Sequence, residues 1–204
     1  MDDKKTCLPR GRPRGFCVDQ AVETALGLFK ERGYDAVGVA DLARAIGVAP
    51  PSLYAAFGSK AGLYARALDL YHGREGRWLV AALAEDVPAD ALLARVIRSA
   101  ADAYAGEPQG CLICRGEQGC TDSAAAAMTA ERRRAARDLI RGRLAAAGAA
   151  EPERLADYAL AALHGLTGAA RDGLGREALA EIAEGFVAGA CPHGAILDKP
   201  RALP

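Results

Sequence analysis

The 204-residue chain is short of aromatic side chains, which make up 5% of it with a single tryptophan. Few segments alternate β-branched and polar residues, while alanine abounds. That balance argues against a sheet-based design and favours helix throughout. No apolar run reaches the roughly 18 residues that a membrane span requires, so no membrane partner is expected. Met1-Asp-Asp-Lys-Lys is not followed by an apolar core, which excludes a secretory signal and leads to the expectation of a cytoplasmic protein. Histidines are scarce: His72, His164 and His193 have no recognisable Ser or Asp partners for nucleophilic catalysis. No enzyme is expected, and no cofactor is implied.

Charge of one sign is also lacking overall, since Lys and Arg number 26 and Asp and Glu number 26. The balance conceals an asymmetry. Residues 1–74 carry 11 basic against 8 acidic side chains, and the remainder carries 15 against 18. A mildly basic front on an acidic body suits a nucleic-acid module joined to something else. Six cysteines in a cytoplasmic chain are expected to be reduced rather than a disulfide framework.

Four regions follow from composition and periodicity. Residues 1–15 form a flexible basic arm rich in Pro, Gly and Arg. Residues 16–62 form a three-helix bundle, residues 63–191 a larger helical body, and residues 192–204 a disordered tail. The predicted class is all-α with about nine helices. The first helix runs from about Asp19, as N-cap, to Arg32. After the bundle, Ser59 caps a long helix over about 60–84. Further helices are expected over about 90–104, 111–118, 123–147, 152–171 and 176–190.

The informative segment is residues 39–60. Val39, Leu42, Ala43 and Ile46 fall at helical spacing on one face. Gly47 follows, where a sharp turn needs a positive φ. Pro50 and Pro51 sit in the first turn of a second helix, where proline costs little. Leu53, Tyr54 and Phe57 give that helix a face to bury. Two crossed helices on a short glycine turn form the helix-turn-helix that enters DNA grooves. With Gly33-Tyr34 before it and Ser59-Lys60 and Leu63 after it, residues 16–66 resemble the TetR family of transcriptional regulators. The resemblance implies a dimeric repressor that binds a palindromic double-stranded DNA operator and is released by a small-molecule effector.

On that resemblance, the recognition helix presents Ala49, Pro50, Pro51, Ser52, Tyr54 and Ala55 to DNA. Its small residues permit close approach to the groove floor. The Tyr54 hydroxyl and Lys60, at the next helix start, are candidate phosphate contacts. Gly38 stands where the family usually places a hydroxyl-bearing N-cap; glycine is an acceptable N-cap but offers no hydroxyl, so the resemblance does not carry that phosphate contact over. Arg10, Arg12 and Arg14, spaced by Gly and Pro, suit a minor groove, with a solubilising tail as the alternative.

The family places its dimer interface on the last two long helices, here carrying Leu155, Tyr158, Ala162 and Leu166 on one and Ile182 and Phe186 on the other. Burial within one chain is the competing expectation. Trp78, Tyr104, Cys111, Met128 and His164 are the candidate effector-pocket residues. Cys111, Cys114 and Cys120 form the sharpest local cluster. A helix starting at Cys111 places a thiol at the positive end of its dipole, and Cys114 lies on the same face beside Arg115. Oxidant or electrophile sensing, buried structural thiols, a zinc site completed by Cys191 and His193, and a helical thiol oxidoreductase are the readings left open.

Overall fold

A computed structural model describes residues 16–106, 109–115 and 120–190. Among the described residues there are ten helices and no strand. They are α1 (Val18–Arg32), α2 (Val39–Ile46), α3 (Pro50–Phe57), α4 (Lys60–Arg74), α5 (Arg77–Leu83), α6 (Ala89–Ala105), α7 (Leu112–Arg115), α8 (Ser123–Ala146), α9 (Pro152–Arg171) and α10 (Arg176–Ala190). Contacts divide the chain into two compact units, one ending at Tyr71 and one beginning at His72. No helix among the described residues is long and apolar enough to cross a membrane.

The first unit concentrates the scarce aromatics. Phe29, Tyr34 and Tyr64 form a triangle with centroid separations of 5.8, 4.9 and 4.8 Å. Stacked, tilted and edge-on aromatic contacts of this kind add to the burial of large apolar areas. Leu26, Val37, Leu42, Leu53 and Leu63 complete the core, none more than 5% exposed.

In the second unit α6 packs against α5, α9 and α10, and α8 packs against α9. Leu92, Leu93, Val96 and Ile97 of α6, Ile140 and Leu144 of α8, and Leu179 of α10 are buried. Ala156, Ala159 and Ala162 of α9 have no exposure, so small side chains bring neighbouring backbones close. Ion pairs join the rims: Arg98 with Glu184 and Arg176 with Asp102 across α6 and α10, Arg137 with Asp157 across α8 and α9.

Several expected boundaries shift. The N-cap of α1 is Cys17, not Asp19, which lies in the first turn instead. The helix expected over 60–84 is two helices, α4 and α5. Gly73 and Gly76 remove local helix propensity there, and a side chain at Gly76 would meet the His72 carbonyl oxygen at 2.8 Å. Of the helix expected over 111–118, Leu112–Arg115 forms α7, and residues 116–119 lie outside the described residues. Cys17 is disulfide-bonded, so the expectation that every cysteine is reduced fails.

Candidate nucleic-acid interface

The turn between α2 and α3 is built as its glycine requires. Gly47 takes φ 79° and ψ 33°, the left-handed region closed to most side chains. Its N–H and that of Val48 both donate to the Ala43 carbonyl, at 3.0 and 2.9 Å, closing the end of α2. Pro50 and Pro51 then occupy the first positions of α3.

Helix α3 divides cleanly. Leu53 is fully buried and Phe57 is 9% exposed, anchoring the helix to the core. Ala49, Pro50, Pro51, Ser52, Tyr54 and Ala55 are all exposed. Tyr54 corrects one expectation: it is 48% exposed and does not share the buried face with Leu53 and Phe57. The result is a flat strip of small side chains with one phenol standing above it.

Past α3, Gly58 turns the chain at φ 74°. The Ser59 hydroxyl accepts from the Gly62 N–H at 2.9 Å, and the Ser59 carbonyl accepts from Leu63 at 3.1 Å, so Ser59 caps α4 as expected. Gly62 has no room for a side chain, because a Cβ would fall on the Phe57 carbonyl oxygen. Lys60 is half-buried, its ammonium 3.9 Å from the centroid of the Tyr34 ring. That ring holds the amine of the first residue of α4.

At the other end of the motif, Gly38 caps α2 without a hydroxyl, and Asp41 supports it. The Asp41 Oδ2 accepts from the Gly38 N–H at 3.0 Å. Arg32 and Arg44 lie 3.7 and 3.4 Å from its carboxylate oxygens, and Arg32 also donates to the Ala36 carbonyl. Sequence reasoning overlooked Asp41. Its position three residues after an N-cap was the available signal. Arg10, Arg12 and Arg14 lie outside the described residues.

In the second unit, Trp78 is half-buried and edge-on to the buried Tyr104, centroids 5.9 Å apart. Met128 on α8 and His164 on α9 are half-buried, and the His164 Nδ1 is 2.9 Å from the Leu160 carbonyl oxygen of its own helix. Cys111 and Cys114 are buried and Cys120 half-buried, none of them in a disulfide. The Cys114 thiol is pushed well above its ordinary pKa by its hydrogen bond to Cys111, by burial and by the charge on Cys111, against smaller opposing effects of Thr167 and Arg133. Cys111 directly precedes the described part of α7, Leu112–Arg115. Cys191 and His193 lie outside the described residues. Among the described residues no cluster of three or more His, Cys, Asp or Glu is arranged to hold a metal.

The six expected dimer-face residues separate. Leu155, Ala162 and Leu166 are at most 4% exposed and packed inside the chain, so they have no surface to offer a partner. Tyr158, Ile182 and Phe186 are half-buried. The Tyr158 hydroxyl donates to the Phe186 carbonyl at 2.7 Å, and the two rings meet edge-on at 6.2 Å. Gly165 makes room for the Phe186 ring, whose edge lies 3.1 Å from where a Cβ would stand.

A glycine-hinged helix pair with an exposed, small-residue second helix, on an all-helical body, is the architecture of a helix-turn-helix regulator. The family model described as bacterial regulatory proteins, tetR family, matches residues 21–67. The HTH-type transcriptional repressor ComR of Escherichia coli K12 is 31% identical over 189 residues, covering 85% of this chain and 89% of that protein. BdcR, another such repressor from the same organism, is 44% identical over 118 residues. That match spans 57% of this chain and 60% of BdcR, less than two thirds of its length. Among solved structures, a cysteine mutant of the TetR family regulator CifR, complexed with 26-bp double-strand operator DNA, superposes with a TM-score of 0.78 at 32% identity. The superposition covers 86% of this chain and 98% of CifR. The chain belongs to the TetR family of bacterial regulatory proteins.

Proposed function

We propose that this chain is a homodimeric, sequence-specific DNA-binding repressor, released from a palindromic operator by a small-molecule effector. The observation that carries the reading is the division of α3: Leu53 and Phe57 hold it from below while Ala49–Ser52, Tyr54 and Ala55 stay exposed. Small residues let the helix approach base edges closely, and specificity then draws on van der Waals contact and DNA shape. Tyr54 and Lys60 flank the strip as phosphate contacts, with the Arg10, Arg12 and Arg14 arm in the minor groove. CifR bound to its operator supports the same mode of binding here.

Two copies are needed to read two half-sites one helical turn apart. The partner-facing surface is assigned to α9 and α10 through Tyr158, Ile182 and Phe186 rather than the buried Leu155, Ala162 and Leu166. The effector is assigned to the interior of the second unit near Trp78 and Tyr104. A second reading, signalling by thiols, is favoured by the contact of Cys114 with Cys111. No catalytic role is assigned to them, because the helical surroundings lack the strand context of a thiol oxidoreductase.

Selection from random double-stranded DNA tests the main reading. Enrichment of a palindrome, bound by two chains per duplex in sedimentation, is expected. Failure to enrich any sequence would overturn it.

A further inference from the structure

Two buried thiols lie three residues apart at the start of α7, and their surroundings are specific. Cys111 and Cys114 are 9% and 8% exposed. Cys114 has the Cys111 sulfur, the Thr167 hydroxyl and the Arg133 guanidinium as its polar neighbours. Thr167 is itself buried, at 4% exposure, and its Oγ1 makes no well-formed hydrogen bond although it stands close enough to act on Cys114.

The backbone is equally constrained. Gly110 takes φ 66°, and a Cβ there would stand 2.8 Å from the Thr167 Cγ2, 2.9 Å from its carbonyl oxygen and 3.1 Å from the Arg171 Cγ. The chain entering α7 is thus pressed against α9 with no intervening space. Cys111 directly precedes α7 and Cys114 is its third residue, with the two thiols within hydrogen-bond reach, a spacing compatible with the range of about 4.4–6.8 Å between Cα atoms that a disulfide accepts.

We infer that Cys111 and Cys114 form a dithiol that a hydroperoxide converts reversibly to an intrachain disulfide, felt by α9 through the Gly110–Thr167 contact. This rests on the thiol-signalling reading above and adds its chemistry. The Cys111 thiolate attacks the peroxide oxygen, the O–O bond breaks, and an alcohol or water leaves with the proton while Cys111 becomes a sulfenic acid. The Cys114 sulfur then attacks the Cys111 sulfur, the S–O bond breaks, and the hydroxyl leaves as water with the Cys114 proton. Overall two thiols are oxidised and one peroxide is reduced to an alcohol and a water. The assignment of Cys111 as the first to react agrees with the raised pKa of Cys114, which its hydrogen bond to Cys111 and its burial keep protonated.

A crosslink within one turn closes too short a loop to restrain distant elements. Its effect is local: two S–H groups disappear beside Thr167, in a close-packed spot that cannot absorb the change by sliding.

The sequence makes the test direct, because cleavage after Arg98 and Arg115 releases Ser99–Arg115, which contains Cys111, Cys114 and no other cysteine. The full chain is treated with hydrogen peroxide, alkylated, digested and weighed, and operator affinity is measured on the same sample. The expected result is a peptide lighter by two hydrogens and closed to alkylation, restored by dithiothreitol, with operator affinity reduced about tenfold or more. In Cys114→Ser the expected peptide instead carries one added oxygen or a sulfenic-acid trap. Oxidation of Cys111 without a link to Cys114, while DNA is still released, overturns the pair and leaves thiol signalling standing. Formation of the link with operator affinity unchanged supports the pair and overturns thiol signalling. No reaction in either measurement overturns both.

Discussion

The Lys60 ammonium sits 3.9 Å from the centroid of the Tyr34 ring, so the first residue of α4 is tethered to the residue that follows α1 and its Gly33 cap. The tether explains how a long, flexible lysine keeps a fixed place beside the exposed strip of α3. A cation over a tyrosine face is worth about 0.5–1 kcal/mol when partly exposed.

Lys60→Met is expected to lower stability by about that amount and to weaken DNA binding by a similar factor on every sequence. The dependence of log affinity on log salt should become shallower by about one for each lost phosphate contact. Titrations at several salt concentrations check this. An unchanged slope would remove Lys60 from the interface and leave it as a core tether.

Tyr54→Phe deletes one hydroxyl from a ring that is 48% exposed. Stability should stay within about 0.5 kcal/mol of the parent, as for most surface changes. Operator affinity should fall about tenfold, since hydrogen bonds to charged groups are worth about 1.5–3 kcal/mol. Equal affinity for both proteins would mean that the ring packs and the hydroxyl does nothing.

Gly62→Ala places a methyl group on the Phe57 carbonyl oxygen, at the turn that positions α3 against α4. The turn must open, at a cost of about 1–3 kcal/mol for an overpacked site. Denaturant unfolding checks the stability. Gly27→Ala, at a helical glycine with open space around it, is the matched control and should be neutral or slightly stabilising.

Glu184 and Asp157 both titrate below the ordinary carboxylate range, because hydrogen bonds from Arg98 and Arg137 favour their charged forms. A lowered carboxylate pKa stabilises the fold at neutral pH, and the gain is lost as pH falls through that range. The Arg98–Glu184 side chains are 53% and 56% exposed, so solvent keeps the effect small. Glu184→Gln should therefore be less stable than the parent near neutrality and indistinguishable from it in acid. A gap that stays constant between about pH 7 and pH 3, spanning the ordinary carboxylate range, would contradict the assignment.

Much of this fold was legible because helical spacing and glycine chemistry speak locally. Gly47 and the Pro50-Pro51 pair marked the α2–α3 turn, and Ser59 marked the start of α4. Tyr54 was misplaced because a phenol counts as apolar in a spacing pattern, while its actual direction depends on Leu53 and Phe57 taking the inward face. Periodicity marked Leu155, Ala162 and Leu166 for burial but carries no information on whether another chain or this one covers them. The support of Gly38 by Asp41 and of Cys114 by Thr167 and Arg133 was missed for different reasons. The first is a short-range pattern with an Asp in place of the usual Glu or Gln. The second joins α7 to residues 19 and 53 positions further on, which only the tertiary fold brings together.

The most direct measurement is the affinity of the full chain for a palindrome selected from random DNA, titrated over a salt series. If α3 is the reading head of a two-headed repressor, binding should saturate at two chains per duplex, weaken steeply with salt, and be lost when one half-site is scrambled. Affinity that ignores salt, or tolerates a scrambled half-site unchanged, would contradict it.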